Sequence, residues 1–202
     1  MTSHIEILKN YVPSKSLPIL DKWFMQCSFQ LKISKERTTK FGDFRINHNL
    51  QNPTISVNSN LNQYAFLITL THEFAHLLVW SNYKHRVKPH GNEWKNEFKL
   101  LTNVLLQKNI FPENVAKELK RHMINPSASS ARDIQLVKAL KQYDKRDNTL
   151  HLSEIPEGST FSINKKKTFI KGNKKRTRYV CKEVNSKKQY LIHGVAEVTL
   201  LE

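Results

Sequence analysis

Cysteine is nearly absent from this 202-residue chain: Cys27 and Cys181 stand far apart, and neither has a second cysteine nearby. That excludes a disulfide framework and any Cys-x-x-Cys metal knuckle. It leaves two unpaired thiols as the expectation, behaving as small hydrophobes. Long apolar runs are missing too. No stretch approaches the roughly 20 residues needed to cross a bilayer, and Met1–Asn10 lacks a signal peptide's apolar centre, so the cytoplasm is the expected compartment. Acidic residues are scarce: 17 Asp and Glu face 33 Lys and Arg, a net charge of +16 that suits polyanionic partners. The excess is concentrated, because residues 161–190 hold eleven basic side chains against Glu183 alone.

A chain that is 39% hydrophobic and 25% charged has the balance of a folded protein, and its length suits one full core plus a small second module. Leu17, Leu20, Trp23, Phe24 and Cys27 recur at helical spacing over residues 16–27. Three short strands are expected next, Phe29–Ser34, Phe41–Ile46 and Thr54–Val57, forming a small antiparallel sheet. The period then changes. Leu67, Leu70, Phe74, Leu77 and Leu78 make one apolar stripe from about Leu61 to Trp80, with Asn60 and Gln63 spaced as a capping box. Asn92 is placed to cap a further helix carrying Trp94, Phe98, Leu101 and Leu105, and Pro112 to open a shorter one ending near Met123. The small, polar run Asn125–Ser130 has linker composition, and a helix from about Arg132 to Tyr143 follows it. Beyond His151 the pattern is strand-like at Thr168–Ile170, Tyr179–Cys181 and Tyr190–Ile192, with turns at Gly158, Gly172-Asn173 and Asn185-Ser186. Three segments result: 1–125, a linker and helix over 126–150, and a basic β-rich module over 151–202.

The chemistry gathers at His72-Glu73-Phe74-Ala75-His76. Two histidines four residues apart on a helix project from one face, one turn apart, where both imidazoles can hold one zinc ion. Glu73 sits beside that metal without being a ligand. It can act as general base on a water that zinc acidifies, and can return the proton to a leaving amine. Catalytic zinc takes three protein ligands, and the third is to be found among His85, His90, Glu93 and Glu97. His90 is favoured, because it precedes a glycine just before the next helix, where a turn can aim it back. Tyr64, Tyr83, His85 and Arg86 are further candidates for the neighbourhood of the cleft.

Residues from about Leu17 to Leu106 resemble the SprT-like zinc metalloprotease domain. The resemblance is carried by Thr54-Ile-Ser-Val57, by Leu70-Thr71-His72-Glu73-Phe74-Ala75-His76 and by His90-Gly91-Asn92-Glu93-Trp94. It implies an α+β zincin-like fold whose sheet packs on the helices that carry the active site. It also implies a peptidase with a single catalytic Zn2+ on His72, His76 and His90, the last matching the family's glycine-flanked downstream ligand. The family's eukaryotic branch acts on proteins crosslinked to DNA. Many relatives add a zinc ribbon with two cysteine pairs, whereas residues 165–202 hold only Cys181, so no second, structural zinc is expected and the module is read as a degenerate ribbon or small barrel.

The basic segment offers Lys165, Lys166, Lys167, Lys171, Lys174, Lys175, Arg176 and Arg178 as a candidate nucleic-acid surface. Phe169, Tyr179 and Tyr190 lie among them, either as stacking platforms for bases or as the core of the module. The function these features point to is peptide-bond hydrolysis, with nucleic-acid-associated proteins as candidate substrates and no membrane partner. The competing reading is a non-catalytic zinc module that binds nucleic acid or a transcription complex, and a zinc amidase would share the same metal chemistry.

Overall fold

The computed structural model describes residues 4–37, 40–46, 52–84, 86–127, 133–144, 150–163 and 166–201. They fall into two compact units, Met1–Ser130 with Ala139–Asp144, and Ala131–Lys138 with Lys145–Glu202. The architecture is α+β, with a small mixed sheet and helices in the N-terminal part and a six-stranded antiparallel sheet in the C-terminal part. No helix among the described residues is long and apolar enough to cross a membrane.

In the first unit, α1 (His4–Leu8) and a 3-10 turn at Ser14–Ser16 precede α2 (Leu17–Phe24), which ends earlier than its apolar spacing suggests. Strands β1 (Gln30–Ser34), β2 (Gly42–Arg45) and β3 (Thr54–Asn58) lie in the order β1-β3-β2. The sheet is mixed where an antiparallel one was expected: β2 runs antiparallel to β3, but β1 runs parallel to it. Burial explains the order. Ile55 and Val57 are fully buried, so β3 takes the centre, and the chain crosses from β1 to the far edge before returning.

Because side chains alternate along a strand, the sheet has two unlike faces. Leu31, Ile33, Phe44, Ile55 and Val57 share one face; Lys32, Asp43, Arg45, Ser56 and Asn58 share the other. The apolar face receives α3 (Gln63–Tyr83). The expected single stripe on this helix proves too narrow, since every residue from Phe66 to Ala75 is buried. The sheet covers one side and α4 (Asn92–Gln107) another, while Trp23, Phe24 and Phe29 surround Phe74. A helix apolar all round is one enclosed on all sides.

Its cap is Asn62, not Asn60. The Asn62 side-chain oxygen accepts from the main-chain N–H of Tyr64 and Ala65, and its amide donates to the Leu140 carbonyl at 2.9 Å and to Asp144 at 2.6 Å. Asn60 is exposed. Likewise Asn92 is already the first residue of α4, and Gly91 holds the cap position without a side-chain bond. Pro112 caps α5 (Glu113–His122), and Asp133 accepts from the first-turn amides of α6 (Ile134–Lys141).

The second unit contains β4 (Leu150–His151), β5 (Thr160–Ile163), β6 (Lys167–Lys175), β7 (Arg178–Glu183), β8 (Gln189–His193) and β9 (Glu197–Leu200), in the order β4-β9-β5-β6-β7-β8. Leu152, Ile155, Phe161, Phe169, Cys181 and Val198 form its core. The turn expected at Gly172-Asn173 is instead a shift of register inside β6. A Cβ on Gly172 would lie 2.5 Å from the Val180 carbonyl oxygen, so the strands approach there as only glycine permits.

Replacing Asn62 with alanine removes a cap and strands two inward partners. Asn62→Ala should cost about 1–2 kcal/mol in urea unfolding, and Asn60→Ala under ~0.5 kcal/mol. Equal losses would contradict the cap assignment.

Candidate metal centre

His72 and His76 lie one turn apart on α3, His72 buried and His76 half-buried. His90 reaches them from a turn in which the Gly91 N–H donates to the Lys88 carbonyl at 2.9 Å. Pro89 occupies the second place of that turn and His90 the third, with φ 57°. This is the pattern of a type II turn, which requires a positive φ at the third place and costs a residue with a Cβ roughly 1 kcal/mol. A Cβ on Gly91 would fall 3.0 Å from the Lys88 carbonyl oxygen, so the turn is tight on both sides of the histidine.

The result is a convergence of ring nitrogens. His90 Nε2 lies 3.2 Å from His72 Nε2 and 2.9 Å from His76 Nε2. Nitrogens bound tetrahedrally to one zinc at ~2.0–2.1 Å sit about 3.3 Å apart, so the donor set fits a zinc ion. Protonation favours it as well. Burial first, then His76, His90 and His122, lowers the pKa of His72 to about 2. Burial and His90 lower His76 to about 4, and burial lowers His90. Neutral imidazole is the metal-binding form.

Trp94 backs the cluster. It is fully buried, its indole N–H donates to the His72 carbonyl at 3.3 Å, and its ring lies 4.5 Å from that of His72 and 4.7 Å from that of His90. On the opposite side, Phe44 of β2 stacks against His76 at 6.3 Å between ring centroids.

Glu73 is buried beside the histidines. A Cβ on Gly42 would meet its Oε1 at 2.7 Å, so β2 presses its backbone against the carboxylate. Burial raises the Glu73 pKa to about 8, with Asp43 adding to the rise; Arg37, Lys40 and the Phe44 main-chain N–H oppose it. Asp43 is itself paired with Lys40 at 2.8 Å and with Arg45. All of this opens onto a cleft of about 540 Å³. Phe44, Ile46, Val79 and Trp80 supply an apolar wall, and Lys84 and Lys88 stand among the other lining residues.

Of the alternative third ligands, Glu93 and Glu97 do not join the cluster, and His85 lies outside the described residues. Tyr64 packs on Phe111 and Tyr143, and neither it, Tyr83 nor Arg86 lines the cleft. The contributions of Gly42 and Phe44 were missed. The one signal for them was a glycine opening a short strand, which marks close backbone approach.

In the C-terminal unit Lys166, Lys174, Lys175, Arg176 and Arg178 are exposed. Lys167 is paired with Glu183 at 3.2 Å. Lys171 is buried, donating to the Ile155 carbonyl at 2.5 Å and lying over the Tyr179 ring. Lys165 lies outside the described residues. Phe169 belongs to the core with Tyr179 packed on it, and the Tyr190 hydroxyl donates to Glu183.

A helix bearing two imidazoles and an intervening carboxylate, closed by a third imidazole from the turn before the next helix, defines an α+β protein with a three-histidine centre able to hold one metal ion. Residues 18–117 match the SprT-like family, and the chain carries a SprT-like family domain over that span. Searches of curated proteins and of solved structures return no match.

The pKa shifts carry a sign. The folded chain keeps His72 and His76 neutral below their ordinary value of 6.5, so the unfolded chain takes up more protons and stability is lost as pH falls below 6.5. Glu73, raised from 4.5 to about 8, acts oppositely: its contribution is lost as pH rises towards 8. With a chelator present, melting temperature should therefore peak near pH ~6.5, and the alkaline decline should vanish in Glu73→Gln. A profile that rises steadily from pH 5 to 9 would contradict the assignment. His90→Ala should also lose bound zinc, measured by metal analysis after dialysis, while His85→Ala and Glu97→Ala keep it.

Proposed function

We propose that this protein is a zinc-dependent metallopeptidase in which His72, His76 and His90 hold the metal and Glu73 is the general base. The observation that carries the reading is the place of Glu73. It lies next to one ligand on the same helix, buried in the cleft with the imidazoles, and is not part of the ligand cluster. A purely structural clip needs no such carboxylate.

A zinc ion bound there supplies Lewis acidity and lowers the pKa of water towards neutrality. The remaining work belongs to the chain. Trp94 and the Lys88–Gly91 turn hold the imidazoles in place. The Phe44 main-chain N–H and the backbone at Gly42 hold the carboxylate. A cation nearby favours the ionised form of Glu73, which burial otherwise opposes. A Glu73 carboxylate oxygen takes the proton from attacking water and hands it to the departing amine. Phe44, Ile46, Val79 and Trp80 offer an apolar wall for a substrate side chain and limit water around the reacting carbonyl.

For partners, we propose protein substrates held near nucleic acid through the exposed cations of the β6–β7 hairpin. Lys174, Lys175, Arg176 and Arg178 fall within five residues at its tip. With Phe169 and Tyr179 turned to the core, the support is for electrostatic contact with phosphates and not for base stacking.

Glu73→Gln should retain one zinc per chain and lose cleavage of an unfolded protein substrate by about 100-fold or more. Undiminished cleavage in that variant would remove the mechanism. Separately, Lys174→Glu with Lys175→Glu should lower the salt concentration that elutes the full chain from single-stranded DNA. Unchanged elution would remove the nucleic-acid partner.

A further inference from the structure

The polar face of the N-terminal sheet carries a second cavity, of about 480 Å³, whose cations are Lys32, Arg37 and Arg45. Strand alternation turns it away from the metal centre, although Asp43 borders both cavities. Phe44 and Gly42 turn to the cleft, while Arg45 and Asp43 belong to the face carrying Thr54 and Ser56. Arg37 comes from the segment after β1 and is held rigidly. Its Nε donates to Asn58 Oδ1 at 2.7 Å and its Nη1 to Ser56 Oγ at 3.1 Å. Asn58 in turn donates to the carbonyls of Arg37 and Lys40, binding that segment to the sheet.

The third guanidinium nitrogen is different. Arg37 Nη2 is buried and has no hydrogen-bond partner among the described residues. A buried donor on a charged group left unpaired is costly, so the missing partner is one that a ligand entering the cavity can supply. Asp43, the one acidic residue lining the cavity, does not supply it, being engaged by Lys40 and Arg45. Lys32 is exposed at the same level, paired in register with Ser56.

We propose that this cavity binds a phosphate group. The planar guanidinium, pinned on two nitrogens, lines the cavity with its third nitrogen unpaired just beneath the surface, and the exposed Lys32 adds a second cation. The Ser56 and Thr54 hydroxyls border the same space and offer further donors to an oxyanion with several acceptors. At about 480 Å³ the cavity exceeds one phosphate, leaving room for the organic part of a phosphate ester. The site owes nothing to the peptidase reading and stands or falls separately from it.

The test is calorimetric titration of the zinc-loaded full chain at constant ionic strength with inorganic phosphate, a dinucleotide bearing one phosphodiester, and acetate. Phosphate should saturate a site that Lys32→Glu and Arg37→Gln each weaken by about tenfold and Lys175→Glu leaves unchanged. A dinucleotide that competes identifies a diester source, and one that does not identifies a monoester or free phosphate; either supports the site. Lys32 is exposed, so Lys32→Glu decides alone if Arg37→Gln fails to fold. Absence of saturable binding, binding equal in wild type and Lys32→Glu, or acetate binding as tightly as phosphate would overturn the proposal.

Discussion

Three imidazole nitrogens within 4.8 Å of one another, with that of His90 at hydrogen-bond length from the other two, cannot all be satisfied by each other. An N–H on one ring can serve a lone pair on the next, but a third ring facing the same point adds a lone pair or a proton with nowhere to go. A cation at that point accepts all three lone pairs together. The burial that keeps the rings uncharged also raises the cost of leaving them unpaired. Much of the first unit serves this convergence: the enclosure of α3, the turn with positive φ at His90, and the indole that closes the back of the site.

Placing polar chemistry on a helix buried on all sides requires that each neighbour approach closely without blocking the cleft. Strand β2 meets the requirement by alternation. Gly42 lets the backbone touch Glu73, and Phe44 stacks on His76. Asp43 and Arg45 go to the other face, where they form part of a polar surface with its own unfilled guanidinium. One four-residue strand thus borders two chemically different cavities.

What could be read in the amino-acid order was local. The four-residue spacing of His72 and His76 and the glycine after His90 lie in short windows, and so does the apolar character of α3. What could not be read depends on contacts distant in sequence. Asn60 and Asn62 are equally good caps in isolation; Asn62 is selected because its amide reaches Leu140 and Asp144 far along the chain. The parallel pairing of β1 with β3 is a property of the crossover and not of either strand. Lys171 reads as one more surface cation. Strand parity places it on the same face as Phe169 and Cys181, so it turns inward to the Ile155 carbonyl. Composition thus misplaces Lys171, while Lys174, Lys175, Arg176 and Arg178 gather at the hairpin tip and Lys166, Lys167, Lys182, Lys187 and Lys188 are exposed elsewhere in the second unit.

The central claim is that a metal ion sits at the meeting point of His72, His76 and His90, with Glu73 beside it and unbound. Anomalous diffraction at the zinc edge from crystals of the zinc-loaded full chain measures this directly. One peak is expected within bonding distance of the three Nε2 atoms, with no Glu73 oxygen coordinated. A peak ligated by Glu73, Glu93 or Glu97 in place of His90, or none at the three histidines, would contradict the account.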